Sequence, residues 1–192
     1  SNFRAGVNAG NSITAGGNFN VTVGDEAGTA ITTGDSNTLI GYLAGDAITT
    51  VSFITAVGEK ALSANTSGQK NTALGRAALQ SITSQDNNTA VGYNSLSGGN
   101  NAGGNNTAIG SDTLSGNTTG DNNVALGYNA LAANTTASNN VAIGRGALDA
   151  TTTGSSNTSV GDMSSSANTT GANNTAIGTL ALTANTTAAG NV

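Results

Sequence analysis

Apolar and polar positions in this chain recur with a period of 17 residues. An aliphatic residue stands at Val23, Ile40, Val57, Leu74, Val91, Ile109, Leu126, Ile143, Val160 and Ile177, and a glycine follows each one. With Gly6, these glycines make a series of eleven: Gly24, Gly41, Gly58, Gly75, Gly92, Gly110, Gly127, Gly144, Gly161 and Gly178. The steps are 17 residues, lengthened to 18 at two places. Two residues before each aliphatic comes Thr or Val, from Val21 and Thr38 to Thr158 and Thr175. Both types favour strands, and a spacing of two puts them on one face of an extended segment. The pattern predicts one short strand per repeat, with these two columns facing inward. The residue between them is then expected outside. It is Ala at Ala56, Ala73, Ala90, Ala108, Ala125, Ala142 and Ala176, with Thr22 and Ser159 as variants. Solvated strand faces usually carry larger polar groups. An outer Ala column therefore predicts a second surface packed against it, a candidate oligomer face.

The rest of the repeat keeps the same register. Leu recurs four residues after the glycine at Leu62, Leu79, Leu96, Leu114, Leu131, Leu148 and Leu182, with Gly28, Gly45 and Ser165 as exceptions. It suits either a core corner or the Ala face. Seven residues after the glycine stand Ile13, Ile31, Ile48 and Ile82, or Asn65, Asn117, Asn134, Asn168 and Asn185. Ile and Asn in one column predict an inward position where amides stack from coil to coil. Because this column points inward, the Asn-Thr-Thr triplets are expected to be structural rather than glycan acceptors. A Thr column follows at Thr32, Thr49, Thr66, Thr83, Thr118, Thr135, Thr152, Thr169 and Thr186, expected to face outward in a second strand. The Thr or Ser after it is expected to turn inward. Gly and Asn then close the coil, since both tolerate left-handed turns.

A fixed short period means one small unit stacked on copies of itself. The expected fold is all-β: a parallel β-solenoid, one 17-residue coil per repeat, about eleven coils, occupying 1–192 as a single array. At ~4.8 Å per coil the rod would be about 50 Å long. Its core would be thin, and small units need neighbours or partners. The extra residue within 98–104 predicts a bulged turn. Asn191 and Val192 repeat the motif once more, as expected of an excerpt from a longer fibrous chain.

Composition narrows the chemistry. There is no Cys, His, Trp or Pro, charged residues are 8%, and the net charge is −5. No disulfide, thiolate metal site or imidazole base can form. Arg4, Lys60, Lys70, Arg76 and Arg145 are scattered, so no basic stripe follows a nucleic-acid backbone. No apolar run is long enough to span a membrane. Isolated Asp residues in turns do not repeat as a calcium roll requires. No catalytic constellation emerges, and no cofactor is expected. Tyr42, Tyr93 and Tyr128 share the position after the glycine with Asp25, Glu59, Arg76 and Arg145, a generic exposed corner.

The segments NNTAVGYNSL (87–96), NNVALGYNAL (122–131) and NNTAIG (173–178) resemble two related groups. One is the head repeat of trimeric autotransporter adhesins. The other is the N-T-A-V-G-Y-N-A-L array of phage-tail-fibre-like proteins, which the 17-residue period fits better than the shorter adhesin repeat. The resemblance covers nearly the whole chain. It implies a left-handed roll, a homotrimer, an extracellular, cell-surface or virion setting, and attachment to a receptor or glycan. Two other functions fit the pattern. The Thr column could bind ice, although paired outward Thr ranks in a Thr-x-Thr arrangement would be needed. Open coil ends could also stack into a filament.

Overall fold

The computed structural model describes residues 1–14, 16–99 and 103–192. Among them are eleven three-residue strands, all in one parallel sheet and hydrogen-bonded in chain order. They are β1 (Phe3–Ala5), β2 (Val21–Val23), β3 (Thr38–Ile40), β4 (Thr55–Val57), β5 (Thr72–Leu74), β6 (Thr89–Val91), β7 (Thr107–Ile109), β8 (Val124–Leu126), β9 (Val141–Ile143), β10 (Thr158–Val160) and β11 (Thr175–Ile177). Register is strict: Ala73 pairs with Ala90, and Ala125 with Ala142. The chain is an all-β parallel solenoid whose coil is one repeat. Asn100, Asn101 and Ala102, within the predicted bulge, lie outside the described residues, as does Ala15.

The marker glycine is a steric requirement. Gly41 has φ +131°, outside the range of L side chains, and a Cβ there would lie 2.6 Å from the Gly58 carbonyl of the next coil. Beyond it the backbone bends through left-handed residues, such as Lys60 and Leu62 in one coil and Asn129 and Leu131 in another. These conformations cost roughly 1–2 kcal/mol each for L residues. They turn successive N–H groups toward neighbouring coils: Lys60 donates to the Tyr42 carbonyl at 2.8 Å and Leu62 to the Ala78 carbonyl at 3.0 Å. Backbone satisfaction offsets the strain.

The strand faces the opposite way from the expectation. Ala56, Ala73, Ala90, Ala108, Ala125 and Ala142 are fully buried inside the coil, and Ala176 is buried too. The flanking Val/Ile/Leu and Thr/Val columns lie outside. The reason is volume. The interior is filled from the far side by the Leu column, with Leu62, Leu79, Leu96, Leu114, Leu131 and Leu148 all at zero exposure, leaving room for only a methyl on the strand. One coil inverts the pair. Leu39 replaces the strand Ala, and Gly45 replaces the Leu, its hypothetical Cβ lying 2.8 Å from a Leu39 methyl. A large side chain enters from one wall or the other, never both.

The Thr segment forms no second strand among the described residues. It still pairs coil to coil: Thr32 N–H donates to the Thr49 carbonyl at 2.8 Å, and Thr118 N–H to Thr135 at 2.9 Å. The Asn column beside it is buried at Asn65, Asn117, Asn134 and Asn168, as expected, but its main partner is local. Asn117 Nδ2 donates to the Gly120 carbonyl at 2.9 Å, and its Oδ1 accepts from Gly120 N–H at 3.0 Å. Amide-to-amide stacking joins only some neighbours, such as Asn134 Nδ2 to Asn117 Oδ1 at 2.9 Å.

A second amide ladder, not anticipated, stands just before each strand. The Oδ1 of Asn123 accepts from the backbone N–H of Asn140 at 3.0 Å. Asn140 does the same for Asn157, and Asn157 for Asn174, both at 2.9 Å. The Nδ2 of Asn157 donates to the Gly171 carbonyl at 2.9 Å. Ile54 interrupts this ladder, its N–H donating to the Asn37 Oδ1 at 3.0 Å. These amides fix the coil-to-coil register in the turn between the Thr segment and the sheet.

Candidate interaction surfaces

Three surfaces follow from one coil repeated. The first is the outer face of the sheet. Side chains preceding the marker glycine form an unbroken aliphatic rank, with Leu74 at 46%, Leu126 at 45% and Ile177 at 72% exposure. Ile40, Ile109 and Ile143 are exposed beside them, and Val57, Val91 and Val160 are half-buried. The strands stack in register, so these side chains align along the rod at ~4.8 Å intervals. The candidate contact face therefore moves one residue. The Ala column (Ala56, Ala73, Ala90, Ala108, Ala125, Ala142 and Ala176) lies within the core and reaches no partner; the aliphatic rank takes its place.

The second surface is the edge made by the Thr segment. Thr49, Thr66, Thr118 and Thr186 are exposed, and Thr32, Thr83, Thr135, Thr152 and Thr169 half-buried. The hydroxyls of Thr32, Thr66, Thr118, Thr135, Thr152 and Thr169 are tied into the rod. The Thr118 Oγ1 donates to the Thr135 carbonyl at 2.7 Å, and the Thr135 Oγ1 to the Thr152 carbonyl at 2.9 Å. The residue that follows was expected to turn inward. Instead Thr33, Thr50, Ser67, Ser84, Thr119, Thr136, Thr153, Thr170 and Thr187 are all exposed. The chain bends here rather than continuing as a strand, so period-two alternation does not apply. Two adjacent hydroxyl ranks result.

The third surface is the corner after the glycine. Tyr42, Tyr93 and Tyr128 are exposed there. Oppositely charged residues on adjacent coils pair: Arg76 Nε meets Glu59 at 3.3 Å, and Arg145 meets both carboxylate oxygens of Asp162 at 2.8 and 3.0 Å. Arg76 also lies 5.5 Å from the Tyr93 ring centroid. The hydrogen bond and charge of Asp162 raise the Arg145 pKa further. Two carboxyls farther along the arc, Asp46 and Asp149, are pushed above the ordinary Asp value, chiefly by desolvation. One oxygen of Asp46 has no hydrogen-bond partner. Among the described residues, no three acidic groups converge to hold a metal ion, and no helix is long and apolar enough to cross a membrane.

No protein-family model matches the chain, and neither a curated protein nor a solved structure matches it. The surfaces therefore rest on their own geometry. One signal in the sequence pointed to the true orientation of the strand. Leu39 falls in the Ala column in the repeat whose Leu position is Gly45. An exchange of volume between two columns means that they face each other.

Proposed function

We propose that this chain is a structural and adhesive segment of an extracellular fibre, of phage-tail or bacterial-surface type, assembled side by side from copies of itself, three per fibre. The aliphatic rank on the sheet carries this reading. Soluble monomers rarely expose a contiguous apolar strip this long, and such strips mark association surfaces. A coil with a one-methyl strand wall and a single Leu layer has little core of its own, so a shared apolar seam between rods supplies the burial that each lacks. The narrow, strictly registered seam repeats at every coil and favours partners with the same period, which another copy has. The test is the mass of the purified chain in solution, wild type against Leu126→Asp/Ile143→Asp. A multiple of the 18.4 kDa chain mass that falls to one chain in the variant is expected. A wild type of 18.4 kDa refutes the assembly.

A second reading, ice binding, gains from the exposure of the residue after each Thr. Thr118 with Thr119, and Thr135 with Thr136, present paired hydroxyl and methyl groups along an edge free of charged residues at those positions. Thermal hysteresis of the purified chain separates the readings, since an adhesive fibre shows none.

A further inference from the structure

We infer that a cleft on the corner surface, between the coils of Gly127, Gly144 and Gly161, binds one neutral hexose ring at the end of a surface glycan. This deepens the adhesive reading by naming what the rod grips. The cleft measures about 200 Å³ and is lined by Tyr128, Asn129, Arg145, Gly146, Asp149 and Met163. That volume suits a single six-membered sugar ring and little more.

The cleft lies where one repeat breaks the pattern. The second residue after the marker glycine is left-handed throughout, and most coils place a side chain there: Leu43, Lys60, Ala77, Asn94, Asp112 and Asn129. Gly146, at φ +60°, places none. A Cβ there would lie 2.6 Å from the Met163 sulfur and 3.7 Å from an Asp149 oxygen. The space a side chain would take is filled by the Met163 thioether of the next coil, which walls the cleft on one side, with the Asp149 carboxylate beside it.

The lining has the chemistry a hexose needs. Tyr128 offers a half-exposed ring for the C–H face of a pyranose. Arg145 is held by two bonds to Asp162, so its guanidinium is pre-oriented and its remaining N–H groups are available to donate to hydroxyls. Asp149 and the Asn129 amide can accept from hydroxyls. Charge selects among sugars. The Arg145–Asp162 pair is neutral, and Asp149 leaves the cleft negative. Anionic sugars are disfavoured, and neutral hydroxyl-rich rings are favoured.

The repeat itself supplies test substitutions with built-in structural precedent. Gly146→Asn places in the cleft the residue that Asn94 and Asn129 carry at the same register position; only the flexible Met163 end must move. Tyr128→Ser copies Ser111, one coil earlier. The experiment is ligand-observed saturation-transfer NMR on the whole chain, with the methyl glycosides of glucose, galactose and mannose, and sialic acid as the anionic probe. One neutral glycoside should bind with Kd on the order of 1–10 mM, as expected for about a dozen heavy atoms. Each substitution should weaken it at least tenfold with circular dichroism unchanged, and sialic acid should give no transfer. No transfer from any neutral glycoside overturns the proposal, as does equal binding by Tyr128→Ser, or preferential binding of sialic acid. Assembly is read separately, by mass. A monomer that binds hexose keeps this inference and refutes lateral assembly; an oligomer that binds none does the reverse.

Discussion

The sheet wall and the threonine edge use the same device with opposite results. Each displays one residue type per coil, in strict register, along the rod. On the wall, the displayed side chains are Ile, Leu and Val, whose apolar surface stays partly open to solvent. At the edge, the displayed groups are hydroxyls, and the first rank spends its protons on the neighbouring coil, as Thr135 Oγ1 does on the Thr152 carbonyl. The wall therefore leaves apolar surface in solvent, whereas the edge turns its hydroxyls back onto the rod. A solenoid sets its chemistry side by side: one face can seek a partner while another is satisfied and wet. Backbone regularity decides the spacing of both, and one residue type per column decides what each face can do.

The largest test strikes the wall from behind. Ala142→Arg forces a charge into a site with zero exposure, filled from across the coil by the Leu layer. It should cost more than about 4 kcal/mol, with loss of the β signal in circular dichroism and rapid proteolysis. If Arg at 142 instead left the coil intact and only split an oligomer, the Ala column would be a contact face after all. Changing the wall from the front should behave differently. Leu126→Asp with Ile143→Asp should leave the fold in place and release single chains, seen by light scattering.

The joint between the two surfaces comes next. Asn157→Ala removes the acceptor for Asn174 N–H and the donor to the Gly171 carbonyl, both 2.9 Å bonds in a buried turn. The expected loss is about 1–3 kcal/mol in denaturant melts, because the orphaned groups stay buried. At the edge, Thr135→Val removes one hydroxyl bond from a partly wet site and should cost only about 0.5–1.5 kcal/mol. A larger loss at the edge than at the joint would invert the ranking of the two ladders.

The smallest effect is a pH dependence from the arc. Desolvation raises the Asp149 pKa in the folded chain above its unfolded value. Its contribution to stability is thus present below the unfolded pKa and lost as pH rises through the folded one. Asp149→Asn should be slightly more stable than wild type at pH 7, with the advantage fading as pH falls toward the Asp range. An advantage that grew on acidification would show that the carboxylate is stabilised rather than desolvated.

The period made the coil, the strand position and the parallel stacking legible from sequence. The buried Asn column was legible too, because Ile31 and Asn65 share a register position and only an enclosed site accepts both. Facing was not. Size alone argued that Val and Ile go in and Ala stays out, but the coil interior is narrow and already holds Leu131 and Leu148 from the opposite wall. Alternation also misled at Thr119 and Thr136, where the backbone bends and both neighbours reach solvent. The ladder through Asn123, Asn140 and Asn157 lies in plain view as a column, but its role depends on bonds to the next coil's backbone, which no single repeat displays. The cleft at Gly146 required the neighbours above and below to be in place.

We propose the aliphatic rank as a seam between copies of this chain. The most direct measurement is multi-angle light scattering on the wild type and on Leu126→Asp/Ile143→Asp at equal concentration. An oligomer is expected, three chains for a fibre of the proposed type, that becomes a folded 18.4 kDa chain in the variant. A wild type already at 18.4 kDa, or an oligomer indifferent to both substitutions, would contradict it.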